Sequence, residues 1–319
     1  MLSPNILTPT PLQLFFSKQD GQDPRLGELS RPRTLDQIAA CAEDHVIMGY
    51  PDDQGISLNG GRPGAALAPN QIRSAFYKMT PSAFSQKTLG VADIGNLNRE
   101  GLSLLQMHQQ ALLVAKEIYA GKKRLLSLGG GHDFGYADGA AFVESYSDSR
   151  NKLKPLIFNF DAHLDVRPFD GVPHSGTPFF RLLTDYPGQF DLVEVGIQAQ
   201  CNSRNHLRWA EEQGAQIVSL EEIEHKGLLA AVSPWLESNQ RPCFLSVDID
   251  SFQSSEAPGC SQSWTTGLKT NQFLELLSKL PHHFDLRGMG IYEVSPPLDF
   301  DNRTSKLAAL LLHHFIHLS

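Results

Sequence analysis

Pro155-Leu156-Ile157-Phe158-Asn159-Phe160 runs without a break into Asp161-Ala162-His163-Leu164-Asp165. The first six residues read as a short apolar strand buried on both faces, the pattern of a parallel sheet covered by helices. The next five carry acid, imidazole and acid at alternate positions. In an extended segment, alternate side chains project to one side, so Asp161, His163 and Asp165 are expected to converge.

The same switch from apolar run to polar terminus recurs along the chain. Arg124-Leu125-Leu126-Ser127-Leu128 runs into Gly129-Gly130-Gly131-His132-Asp133. Cys243-Phe244-Leu245-Ser246-Val247 runs into Asp248-Ile249-Asp250, and Met289-Gly290-Ile291-Tyr292 runs into Glu293. Further strands are expected at 45–50, 190–197 and 216–220, and a weaker one at 89–94. Helical patterning covers 102–120, 205–213, 269–280 and 303–317. Alternating strands and helices imply βαβ crossovers and a parallel sheet with helices on both faces. The fold class is therefore α/β, a three-layer α/β/α arrangement around a central, mostly parallel sheet. Ligands of such sheets bind beyond the carboxyl ends of the strands, which is where the acids and histidines gather. Residues 1–40, rich in Pro, Gln and Asp, read as an N-terminal arm, and 41–319 as a single catalytic domain.

The 319 residues carry a net charge of −8 and contain no basic run, which argues against a nucleic-acid partner or an anionic membrane surface. No apolar stretch reaches the ~20 residues of a membrane span, and no secretory signal is visible at the N-terminus. The four cysteines (41, 201, 243 and 260) are far apart without CxxC spacing. They fit free thiols in a cytoplasmic protein.

His132, Asp161, His163, Asp165, Asp248 and Asp250 amount to four carboxylates and two imidazoles at neighbouring strand ends. Buried carboxylates without counter-charge would protonate or force the site apart; two divalent cations remove the conflict. A set rich in carboxylate and free of thiolate suits Mn²⁺ better than structural Zn²⁺. Two ions about 3.5 Å apart can share a water and lower its pKa. The glycine-rich loop at 129–131 lacks both GxGxxG spacing and a P-loop Lys-Ser/Thr, so phosphate binding is not expected.

From about Val46 onward the chain resembles the ureohydrolases, the family of arginase and agmatinase. The resemblance rests on Gly129-Gly-Gly-His-Asp133, Asp161-Ala-His-Leu-Asp165 and Ser246-Val-Asp-Ile-Asp250. It implies an arginase-like fold and two Mn²⁺ per chain. One ion would be held by His132, Asp161, Asp165 and Asp248, the other by Asp161, His163, Asp248 and Asp250. Within the family the chain looks most like the formimidoylglutamase branch, through Asn59-Gly-Gly-Arg-Pro-Gly-Ala65, Phe160–Arg167, Ser175-Gly-Thr-Pro-Phe179 and Ala257-Pro-Gly-Cys-Ser261. Glu293 matches the family glutamate that contacts the amidine or guanidine group. Where arginases carry a histidine this chain has Ser175; His174 lies one residue earlier and receives no role. The aspartate that follows SxDxD in arginases is absent from Ser251–Ser255.

The resemblance implies cleavage of N-formimidoyl-L-glutamate to glutamate and formamide, a step of histidine breakdown, by a homo-oligomer. The alternative is another amidinohydrolase such as guanidinobutyrase or agmatinase. Asp165 and Glu293 are the expected catalytic residues. Arg167, two residues beyond a ligand, is expected to hold a carboxylate. Arg62, Ser175, Gln198 and Asn202 are further candidates for substrate contact.

Overall fold

The computed structural model describes residues 5–85, 90–147, 154–236 and 240–318. Its strands are β1 (Leu7–Thr8), β2 (Arg31–Pro32), β3 (His45–Gly49), β4 (Ala92–Leu97), β5 (Arg124–Leu128), β6 (Leu156–Phe160), β7 (Asp191–Ile197), β8 (Gln216–Ser219), β9 (Arg241–Asp248) and β10 (Phe284–Tyr292). They form one sheet in the order β1-β4-β3-β5-β10-β9-β6-β7-β8, with β2 also paired to β4. Every pairing is parallel except β1 with β4.

Strand alternation sorts the apolar side chains onto two faces. Leu126, Phe158, Leu245 and Ile291 join one core cluster, together with Ile72, Phe273 and Leu312 from helices. Leu125, Ile157, Phe244 and Tyr292 join a second, together with Ala111, Phe142 and Phe179. Three layers result, each apolar helix stripe covering one face of the sheet. Helix 104–120 shows the local logic. Ser103 accepts from Gln106 N in a capping box, and Leu104, Met107, Ala111, Val114, Ala115 and Ile118 turn inward at three- and four-residue spacing.

Three segments differ from the reading above. The lead-in is not wholly irregular: β1 and β2 pair along β4 and cover an otherwise open sheet edge. Strand β10 begins at Phe284 rather than Met289; Asp285 and Arg287 interrupt its apolar pattern, although 284–286 still pair with 241–243. Of the weak strand expected at 89–94, Leu89 lies outside the described residues, and the observed strand is Ala92–Leu97.

Four central neighbours position the site. Leu128, Ile291, Val247 and Phe160 stand in register across β5, β10, β9 and β6. The residues after this row therefore open at one level of the sheet edge.

Candidate metal centre

Asp161 directly follows β6, Asp248 ends β9, Glu293 follows β10, and His132 lies beyond the glycine turn after β5. That turn requires glycine. Gly129 and Gly130 have φ of 66° and 80°, and a Cβ on Gly130 would lie 2.7 Å from the Tyr50 carbonyl oxygen. The turn folds His132 back over the strand ends, where the ring stacks on Tyr292 with centroids 4.9 Å apart. Its Nε2 meets Ser246 Oγ at 2.9 Å.

His132 Nδ1 faces Asp161, Asp165 and Asp248 carboxylate oxygens at 3.0, 3.1 and 3.2 Å. None of these contacts has hydrogen-bond geometry, which leaves a buried ring nitrogen without a partner among the described residues. His163 Nδ1 lies 3.1 Å from Asp250 Oδ2 and 3.5 Å from Asp161 Oδ1. Two groups able to hold an ion result: His132, Asp161, Asp165 and Asp248, and Asp161, His163 and Asp250, each with its ligand atoms within 4.8 Å of one another. Asp161 belongs to both; Asp248, expected to serve both ions, joins the first group alone, its chain turning at 248–250 so that Asp250 faces His163 instead.

The charges conflict without cations. Burial, then the neighbouring Asp161 charge, pushes Asp165 up to about 6. Burial, then Asp250 and Asp161, pushes Asp248 well above the carboxylate range. A pair of divalent ions would reverse that penalty. The orphaned nitrogen, the shared carboxylate and the all-oxygen-and-imidazole donor set fit two such ions.

The convergence has a different backbone cause from the extended segment expected. Ala162 and His163 form a bend, and none of 161–165 is strand. Asp161 Oδ1 accepts from His163 N at 2.7 Å, and Asp165 takes a left-handed φ of 47°. Asp248 likewise accepts from Asp250 N at 2.8 Å at the start of a short 3-10 turn. Aspartate side chains that bond their own backbone two residues on create these turns. Glu293 is also left-handed, with φ 65°. Its Oε1 accepts from His132 N at 3.0 Å, bracing the glycine loop while the residue lines the cavity.

The cavity has a volume of about 580 Å³ and is lined by His163, Asp165, Asp248, Asp250 and Glu293 at its metal end. Arg167 and Ser175 line the same cavity. Arg167 Nη1 donates to Asn59 Oδ1 at 2.8 Å, and Asn59 Nδ2 donates to Ser175 Oγ at 3.0 Å.

Of the expected substrate contacts, Arg62 and Gln198 lie off the cavity wall and Asn202 lines it. Arg62 donates to the Cys260 and Ser261 carbonyls at 2.8–3.1 Å and does not line the cavity; it ties the loop at 257–261 in place. Gln198 is buried against Thr266 and lies outside the cavity wall. Asn202 lines the cavity, but its amide is engaged with Leu164 N and the Ala162 and Gln198 carbonyls at 2.8–2.9 Å. It fastens the ligand loop to the end of β7. His174 accepts from Gly176 N through Nδ1 and lies outside the cavity lining. Residues not anticipated include Asn59, His206, Gln262 and Trp264. Asn59 stood inside a quoted motif; the others lie in segments whose approach to the site depends on the fold.

A sheet edge that gathers six side chains able to hold ions beside an open cavity fits a metal-dependent hydrolase of the α/β class. Residues 43–317 match the Arginase family, and the chain belongs to it. It is similar to the formimidoylglutamase of Staphylococcus carnosus, with 32% identity over 85% of each chain. Among solved structures it is similar to the formimidoylglutamase of Bacillus subtilis, with a TM-score of 0.81 and 27% identity over 94% of this chain and 93% of that one. It is also similar to Trypanosoma cruzi formiminoglutamase with Mn²⁺, with a TM-score of 0.78 and 26% identity over 93% and 98%.

Proposed function

We propose that this chain hydrolyses N-formimidoyl-L-glutamate to L-glutamate and formamide, using two Mn²⁺ held by His132, Asp161, His163, Asp165, Asp248 and Asp250. The observation that carries the substrate assignment is Arg167, a guanidinium on the wall of the same cavity as the ligand cluster and Glu293. A cationic amine tail, as in agmatine, would meet this charge unfavourably. A carboxylate is matched by it.

The ions would supply an activated water and a counter-charge for the reacting centre. Glu293 accepts a hydrogen bond from the cationic amidine and fixes its direction at the metal end. Arg167 holds a carboxylate away from the acids, so the two ends of the substrate are sorted by charge. Asp165 takes the proton given up by the attacking water on a carboxylate oxygen and delivers it to the glutamate nitrogen as that nitrogen's bond to the formimino carbon breaks. Ser175 presents its hydroxyl beside Arg167 for a further polar contact. Residues 41–319 carry the catalytic site in this reading, and 1–40 form a lead-in whose strands β1 and β2 extend the same sheet.

The free thiols at 41, 201, 243 and 260 support a cytoplasmic setting. No helix among the described residues is long and apolar enough to cross a membrane. A homo-oligomer is part of the same reading: Leu12, Leu67 and Phe300 stay more than half exposed and offer surface for a second copy to cover. Light scattering tests it.

The deciding experiment is an assay of the Mn²⁺-loaded protein on formimidoylglutamate, agmatine, arginine and guanidinobutyrate in parallel. Formamide release from the first alone supports the reading. Urea release from any of the others, with no formamide, overturns it.

A further inference from the structure

We propose that His206 recognises the second carboxylate of the substrate, the one that Arg167 does not hold. The proposal rests on the carboxylate-amidine reading above and adds a residue to it.

The cavity must match one cationic and two anionic groups. The amidine belongs at the acid end beside Glu293. Arg167 can take one carboxylate: its Nη1 is already engaged by Asn59 Oδ1, so a single edge of the planar guanidinium stays open for a bidentate contact. A second carboxylate brought into a partly dry cavity without a donor would incur a desolvation cost.

Among the described residues lining the cavity, His206 is the one remaining side chain with cationic capacity once the ligand His163 and Arg167 are set aside. It lies in the first turn of helix 204–212, where Ser203 Oγ accepts from its backbone N at 3.1 Å. Its ring has no protein partner among the described residues, so its donor is available to a ligand. The ring feels the Arg167 charge: burial, then Arg167, holds its pKa below the usual histidine value. Both side chains line the same cavity. An imidazole donates one N–H even when neutral, so the contact does not require prior protonation.

The wall that carries His206 is fixed relative to the metal ligands. Asn202, four residues earlier, bonds Leu164 N and the Ala162 carbonyl inside the ligand loop. A rigid link of this kind lets the cavity measure the distance between an amidine at the metal end and a carboxylate at His206.

The test compares three substrates on the Mn²⁺-loaded enzyme: N-formimidoyl-L-glutamate, N-formimidoyl-4-aminobutyrate, which lacks the α-carboxylate, and N-formimidoyl-2-aminobutyrate, which lacks the distal one. His206→Ala is expected to lower kcat/KM on the dicarboxylate roughly 10- to 100-fold, mostly through KM. On the monocarboxylate missing the His206 partner, the change should stay within about 2-fold. His206→Gln, which keeps a donor, should recover part of the loss on the dicarboxylate. Melting temperature and metal content serve as folding controls for both variants. Equal losses on all three substrates, or no loss on the dicarboxylate, overturn the inference while leaving the functional reading intact. A wild type that hydrolyses none of the three overturns both.

Discussion

Asn59 Oδ1 sits 2.8 Å from Arg167 Nη1, although the two residues come from separate connections on the same edge of the sheet. Gly176 completes the cradle. Its carbonyl accepts from Arg167 N at 2.8 Å, and a Cβ there would lie 2.9 Å from Arg167 Cδ and 3.2 Å from Nε. The guanidinium is thus aimed before substrate arrives, which lowers the ordering cost of binding. Asn59→Ala frees Arg167 without removing its charge. Steady-state kinetics should show KM for the dicarboxylate rising roughly 5- to 30-fold, with kcat within about 2-fold. A fall in kcat with unchanged KM would mean that Asn59 acts on the chemistry instead.

Glu293 has two tasks that one substitution separates. Its Oε1 accepts from His132 N, and the residue lines the metal end of the cavity. Glu293→Gln keeps a carbonyl oxygen for His132 N but turns the other acceptor into a donor facing a cationic amidine. kcat is expected to fall about 10²- to 10³-fold, the scale of losing one oriented electrostatic partner, while bound metal stays constant by elemental analysis. Loss of metal in this variant would assign Glu293 to the ligand loop alone.

The sheet and its ligand edge were legible because burial and charge act within short windows. An apolar run must be inside, and an acid after it must have a partner. The backbone at 161–165 and 248–250 was not legible. Alternate spacing is shared by a strand and by an aspartate-capped turn, and the hydrogen bonds from His163 N and Asp250 N decide between them. Arg62 and Asn202 were read as substrate contacts since a polar residue near a motif looks the same in sequence whether it faces a ligand or a carbonyl. Only the packed loops at 257–261 and 161–165 show that their donors are already committed. His206 and Trp264 reach the site through the crossovers after β7 and β9, and no local pattern marks such an approach.

Asp138 is fully buried and accepts from Tyr50 and Tyr292, two members of the second core cluster. Burial raises its pKa from 3.8 to about 6, against the hydrogen bonds of both tyrosines. Between those values the folded protein binds more protons at this site than the unfolded chain, so stability falls as pH rises. The contribution is fully present below about pH 4 and gone above about pH 6, amounting to roughly 2–3 kcal/mol. Denaturant titrations of wild type and Asp138→Asn at pH 4, 5, 6 and 7 check it. Their difference in stability should move in the variant's favour across that window; a constant difference would show that Asp138 does not titrate there.

Metal removal should affect stability and activity together, in a pattern set by which residue is shared. Chelation leaves Asp161, Asp165, Asp248 and Asp250 facing one another across a few ångströms, so apo protein should melt lower and regain its melting point with Mn²⁺, as expected when a ligand binds the native state alone. Asp250 belongs to one group and Asp161 to both. Asp250→Asn should therefore retain about one ion per chain and Asp161→Asn close to none, since loss of a ligand weakens only the ions it touches. Elemental analysis of both variants after dialysis decides the matter. Equal metal content in the two would sink the assignment of Asp161 as the shared carboxylate.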